Sequence, residues 1–179
     1  EMGELLVGAY LKYEEDCVNI IYNQKDIDSK NQIEIDVLGL RISDNKAFIC
    51  EVSTHLDGIN YGGSRKKTLQ DILYDKFKGF HKYATTHLKN MDVVYMLWTP
   101  LARPTPEREL KVLKARLYTD YSINLELIYN EKYTEKVEFL INRASTTINF
   151  SDQPFFRALQ IITHLRDKER NIYQLSLHN

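Results

Sequence analysis

A hairpin-like pair of strands, followed by a long amphipathic helix and an unbroken apolar strand, limits this chain more than any other feature. Residues 32–42, QIEIDVLGLRI, begin with polar–apolar alternation, and residues 46–53, KAFICEVS, form a second strand-like run. The SDNK stretch between them is rich in turn formers, so the two runs form an antiparallel hairpin. Residues 68–88, TLQDILYDKFKGFHKYATTHL, then have helical periodicity, and residues 92–99, DVVYMLWT, are almost continuously apolar. That continuity suits a strand buried on both faces. A strand reached through a helix crossover pairs in parallel with its predecessor. The sheet is therefore expected to be mixed, with helices on both faces.

The rest of the chain extends this pattern. A helix is expected over residues 1–15, a strand over 17–24, a helix over 106–118, a strand over 123–130, and helices over 133–146 and 153–170. Thr105 is the expected N-cap of the helix at 106, with Pro106 in its first position and Glu107 in its first turn. The order is α-β-β-β-α-β-α-β-α-α, an α/β mixed sheet of about five strands flanked by helices. No Pro/Gly/Ser-rich linker divides the 179 residues, so one domain is expected, with a core in 1–100 and an extension over 101–179. The helical FFRALQIITHL stretch could supply an interface or close the core, and is read as closing the core.

Composition narrows the class. Hydrophobic residues make up 43% and charged residues 27%, the balance of a folded globular chain. Cys17 and Cys50 follow no metal-binding spacing and sit in apolar surroundings. They read as reduced core residues of a cytoplasmic protein. No signal peptide and no run near the ~20 apolar residues of a membrane helix is visible, so no membrane partner is expected. A net charge of −1 argues against coating nucleic acid by bulk charge, but leaves room for a local basic surface such as residues 64–82.

The hairpin carries the candidate chemistry. With Asp44 and Asn45 at the turn centre, Leu38 would face Glu51 and Asp36 would face Ser53. Asp36 and Glu51 then share one face as diagonal neighbours, roughly 7–8 Å apart at Cα, close enough for one divalent cation between their oxygens. Glu34 lies one step further along that face. Without a cation two such carboxylates repel, and hard oxygen ligands select magnesium, manganese or calcium. The plainer reading makes them strand-end residues facing water or lysines. On the long helix, at ~100° per residue from Leu69, the residues Ile72, Leu73, Phe80, Tyr83, Ala84 and His87 form the core stripe. Lys76 falls near its middle, whereas Lys67, Lys78, Lys82 and Lys89 point outward. Lys76 must therefore snorkel or meet buried negative charge. Glu4 shares a helix face with Val7, Gly8 and Leu11. It could reach the same site, or simply complement the helix dipole. Gly8 on that face allows something to approach closely.

These residues resemble the PD-(D/E)XK nuclease superfamily: Glu4 in a first helix, EID ending at Asp36, and CEVS with Glu51 after a hairpin. The resemblance covers roughly residues 1–100. It implies a restriction-endonuclease-like α-β-β-β-α-β core and Mg2+-dependent hydrolysis of phosphodiester bonds in DNA, with Mn2+ as a substitute. Asp36, Glu51 and the backbone carbonyl of Val52 would be metal ligands, and Glu4 the carboxylate of the first helix. The usual lysine two residues after the glutamate is absent, because Ser53 stands there. Some members carry that lysine on the following helix, which makes Lys76 the candidate. The catalytic set would then be Glu4, Asp36, Glu51 and Lys76. Double-strand cutting commonly uses two copies of such a domain, so a homodimer is allowed. A domain of the same fold that binds DNA or a protein without cutting is the first alternative. An unrelated α/β interaction module is the second.

Residues after the motif supply candidate nucleic-acid contacts. Ser53 and His55 follow the strand end, although a loop histidine is commonly just solvated. The stretch 57–67, DGINYGGSRKK, is glycine-rich and then basic. Tyr61 could stack on a base, and Arg65, Lys66 and Lys67 could meet phosphates. An ordinary flexible connection fits that stretch equally well. No G-x-S-x-G elbow surrounds Ser53, and no phosphate-binding glycine motif is present. Trp98, at the end of an apolar strand, reads as core.

Overall fold

The computed structural model describes residues 1–26, 33–56, 58–59 and 67–176, with side chains to 166. Its elements are α1 (Met2–Tyr13), β1 (Asn19–Asp26), β2 (Ile33–Arg41), β3 (Lys46–Val52), α2 (Leu69–His87), β4 (Asp92–Trp98), α3 (Pro104–Tyr121), β5 (Glu126–Ile128), α4 (Glu131–Ser145) and α5 (Pro154–Ser176). The five strands lie in sequence order, β1-β2-β3-β4-β5. β1, β2 and β3 pair antiparallel, and β3, β4 and β5 pair parallel. The sheet is thus mixed and flanked by helices, as the crossover pattern requires.

Alternation in β3 and β4 splits the apolar residues between two layers. Leu38, Ile49, Tyr95 and Leu97 join Leu73, Phe77 and Phe80 of α2 and Leu110, Leu113 and Leu117 of α3. Val37, Phe48, Cys50, Met96 and Trp98 join α1, Leu140 of α4 and Phe156 of α5 on the other face. Each fully buried Leu, Ile or Phe contributes about 1.5–3 kcal/mol, so these layers, rather than ion pairs, hold the sheet between its helices. Trp98 is fully buried, with Tyr10 edge-on to it at 5.1 Å. Cys17 and Cys50 are both buried free thiols.

Several local expectations are corrected. The hairpin turn is not a two-residue turn: Ile42–Asp44 winds as a 3-10 turn, closed by Asn45 in the left-handed region at φ 52°. Arg41 therefore pairs with Lys46 and Leu38 with Ile49, a register two residues from the one expected. The shift preserves which side chains share a face. α3 starts at Pro104 with Arg103 as N-cap, not at Pro106. Both prolines fit the first turn, whose N–H groups need no helical partner. The core stripe of α2 is rotated: Phe77 is fully buried, while His87 is exposed and lies against the Tyr83 ring at 4.7 Å. In α5 only the inner side closes the core. Phe156 is buried, whereas Ile161, Ile162 and Leu165 are about half exposed.

α1 sits very close to the hairpin. A Cβ at Gly8 would lie 2.0 Å from the Tyr22 hydroxyl, which donates to Gln153 Oε1 at 2.8 Å. A Cβ at Gly3 would lie 2.2 Å from Thr54 Cγ2. Glycine at these positions lets the start of α1 reach the far end of β3. Among the described residues, no helix is long and apolar enough to cross a membrane.

Candidate active site at the open end of the hairpin

β2 and β3 part company at Asp36. Their ladder ends at Val37 opposite Cys50, and continuing that register would place Asp36 level with Glu51. That register would make the two carboxylates direct cross-strand neighbours rather than diagonal ones, a consequence of the four-residue turn. On the other side of β2, pairing with β1 skips Asn23 and Asp36 between the pairs Tyr22–Val37 and Gln24–Ile35. Asn23 has φ 53°, a conformation asparagine tolerates better than most residues. Alternation along β2 also slips here. Ile35 and Leu38 join the α2 layer, while Val37 joins the α1 layer.

Asp36 fills the resulting gap with its side chain. Its Oδ2 accepts the Val52 N–H at 2.7 Å, replacing a backbone ladder bond. Burial pushes the Asp36 carboxyl above its ordinary value, and Glu4 adds to the rise. Lys76, the Val52 N–H and Glu51 act in the opposite direction without cancelling it.

Glu51 projects on the α2 side at the end of β3 and is only 1% exposed. An ionised carboxylate at that depth is costly unless a positive group faces it. Lys76 of α2 supplies that group, its ammonium donating to Glu51 Oε1. The Lys76 side chain remains 33% exposed, so its stem runs from solvent to the carboxylate. Glu4 approaches from the α1 side and is largely buried. It closes a capping box with Glu1, and its Oε2 also accepts from Asn23 Nδ2 at 3.5 Å.

The neighbouring candidates divide. Ser53 does not offer its hydroxyl to an open surface: it is 7% exposed, and its Oγ has no hydrogen-bond partner among the described residues. Its N–H donates to Trp98 O at 2.8 Å, which extends the parallel ladder past Val52. His55 is exposed beyond the strand end. Lys67 is exposed and paired with Asp75 at 2.7 Å. Glu34 pairs with Lys25 at 3.6 Å, near solvent. Tyr61, Arg65 and Lys66 lie outside the described residues. Asn23 carries only a subtle sequence signal: a polar residue able to adopt positive φ inside an alternating strand.

The donors at this notch suit a hard, oxygen-seeking cation. They are the Asp36 and Glu51 carboxylates and the main chain at Val52. Among the described residues, no group of three or more His, Cys, Asp or Glu side chains forms a ready metal cage. Any ion here would rest on two carboxylates plus backbone or water oxygens, and would compete with Lys76 for Glu51. No family model matches this chain, and no curated protein or solved structure matches it.

Proposed function

We propose that the chain is a metal-dependent nuclease that hydrolyses phosphodiester bonds in DNA, with the motif lysine carried by α2. The observation that carries this reading is the meeting of Asp36, Glu51 and Lys76 from three separate elements at the one place where β2 and β3 separate. The order from α1 to β4 is the one the resemblance implies. Asp36, Glu51 and the Val52 carbonyl would hold Mg2+ or Mn2+. When bound, such an ion neutralises phosphate charge and lowers the pKa of a coordinated water. Asp36 is fixed for this task by its bond to the Val52 N–H, and Glu51 by its place at the end of a buried strand. Lys76 presents an ammonium that can meet negative charge developing on a phosphate. Glu4 adds negative potential from the α1 side, which favours a divalent cation over a bare notch.

One observation favours a second reading. The Lys76–Glu51 pair already satisfies much of the notch's charge, as it would in a domain of this fold that binds DNA or a protein without cutting it. Cleavage of supercoiled plasmid and of a labelled single strand separates the two. The assay runs with Mg2+, Mn2+, Ca2+ and EDTA, for the wild type, Glu51→Gln and Lys76→Met. Metal-dependent nicking, lost on Glu51→Gln and reduced at least 100-fold by Lys76→Met, is the nuclease outcome. DNA retention on a filter with no cleavage under any metal is the binding outcome.

A further inference from the structure

We propose that Lys76 is a placeholder cation: it occupies the Glu51 carboxylate while no divalent ion is present and is displaced when one binds. The proposal rests on the metal-dependent reading above and adds the order of events at that site. Three observations lead to it. Glu51 is almost completely buried, so its ionised form needs a cation beside it, with or without metal. Lys76 already makes that contact, at an oxygen a metal would use. The Lys76 side chain is one-third exposed on a helix, so its flexible four-carbon stem has a route to solvent.

Charge supplies the driving force. Glu4, Asp36 and Glu51 bring three carboxyl groups to the notch; the Glu1 ammonium pairs with Glu4 at 2.7 Å, and Lys76 pairs with Glu51. The carboxyl groups still outnumber the two ammonium groups, an excess of negative charge that a divalent ion removes. Once that ion is held by Asp36 and Glu51, the ammonium faces a like charge and loses its oxygen. A lysine at position 53 could not answer in this way. Position 53 is buried and held in the ladder through its N–H bond to Trp98, whereas rotamer changes along the Lys76 stem carry its head outward. Placing the lysine on α2 thus keeps the Glu51 carboxylate paired before an ion arrives. It also frees an ammonium at the mouth only after metal has entered.

The test is calorimetric titration of Mn2+ and of Mg2+, without nucleic acid, into the wild type, Lys76→Met, Lys76→Gln and Glu51→Gln. Removing a competing cation is expected to tighten Mn2+ binding at least tenfold in both Lys76 variants, and Glu51→Gln is expected to abolish it. Lys76→Gln keeps a polar end on a side chain one bond shorter and serves if Lys76→Met does not fold. A second readout is the side-chain NMR signal of Lys76 in isotope-labelled wild type, assigned by its loss in Lys76→Gln. Saturating Mg2+ is expected to move it to the position shared by exposed lysines. Lys76 variants that bind Mn2+ as weakly as the wild type, or more weakly, overturn the placeholder role. So does a lysine signal that stays still while calorimetry registers binding. If neither the wild type nor the Lys76 variants bind either ion, the metal-dependent reading itself fails, and the placeholder falls with it.

Discussion

Both ends of the β2–β3 hairpin carry ionic groups. At the turn end, Arg41 makes a bidentate pair with Asp44 at 2.8 and 3.0 Å and also reaches Glu15 at 3.2 Å. Lys46 lies between Asp44 and Asp92 at 3.9 and 3.7 Å. Water reaches these groups, and the surrounding ladder is complete. At the open end, Asp36, Glu51 and Lys76 meet where the ladder has stopped, and Glu51 is nearly sealed from solvent. Exposed pairs of the first kind contribute about 0–1 kcal/mol each. Breaking a buried pair costs about 3–5 kcal/mol, yet replacing the whole pair by packed apolar residues is often neutral or better. Charge at the turn end is therefore ordinary surface. Charge at the open end lowers what folding could have gained there, which is a reason to read it as functional.

The sharpest way to break this contrast is Lys76→Met. It leaves Glu51 buried without its ammonium, and should cost ~2–4 kcal/mol, the upper range being reduced because Lys76 is partly exposed. Thermal unfolding in EDTA should show a loss of ~5–10 °C. A loss under ~2 °C would make the open end no different from the turn end. Next is Gly8→Ala, which drives a methyl into the Tyr22 ring beside Asn23 and the notch. Overpacking against a ring costs ~1–3 kcal/mol, more than alanine's helix propensity returns, so the urea midpoint should fall.

Asp36→Asn tests the sign of the effect. Because burial raises the Asp36 pKa in the folded protein, the fold holds that proton more tightly than the unfolded chain does. The ionised group therefore takes stability away as pH rises from the unfolded value of 3.8 through the higher folded one. Asparagine keeps an oxygen for the Val52 N–H and carries no charge. The variant should match or slightly exceed wild-type stability at pH 7, with the gap closing below pH ~4, while losing cleavage. The smallest change should come from Asp44→Asn. Arg41 holds the Asp44 carboxyl below its ordinary value, which adds stability above the unfolded value of 3.8 that is lost as pH falls through the folded one. On an exposed group screened by water, a melting shift under ~2 °C at pH 7 is expected. A larger one would put the turn end on a par with the open end.

Periodicity in the sequence reached the fold because each element carries its own pattern. The mixed sheet followed from an alternating hairpin, a long amphipathic helix and a continuous apolar strand. Boundaries were less legible. The turn at Ile42–Asn45 is not legible locally because SDNK suits several turn types, and only the packed strands choose among them. Phe77 lies outside the ideal stripe because a 100° step fixes the spread of a helix face but not its rotation against a sheet. The upper layer of α5 stayed exposed because a helical stripe says which residues are apolar, not how many find a neighbour.

At the site the division is similar. By itself, the sequence determined that Asp36 and Glu51 come together at the open end of the hairpin, since a two-residue register shift leaves both near that end. It also determined that Lys76 is the α2 lysine turned toward the sheet, since helical phase is local. Only the tertiary structure decided that the β2–β3 ladder stops at Val37, that Asp36 accepts the Val52 N–H, and that Ser53 is buried rather than presented. Those outcomes depend on where two strands separate and on how closely α1 and α2 approach the gap. Contacts between residues distant in the chain set that separation, and no local pattern encodes it.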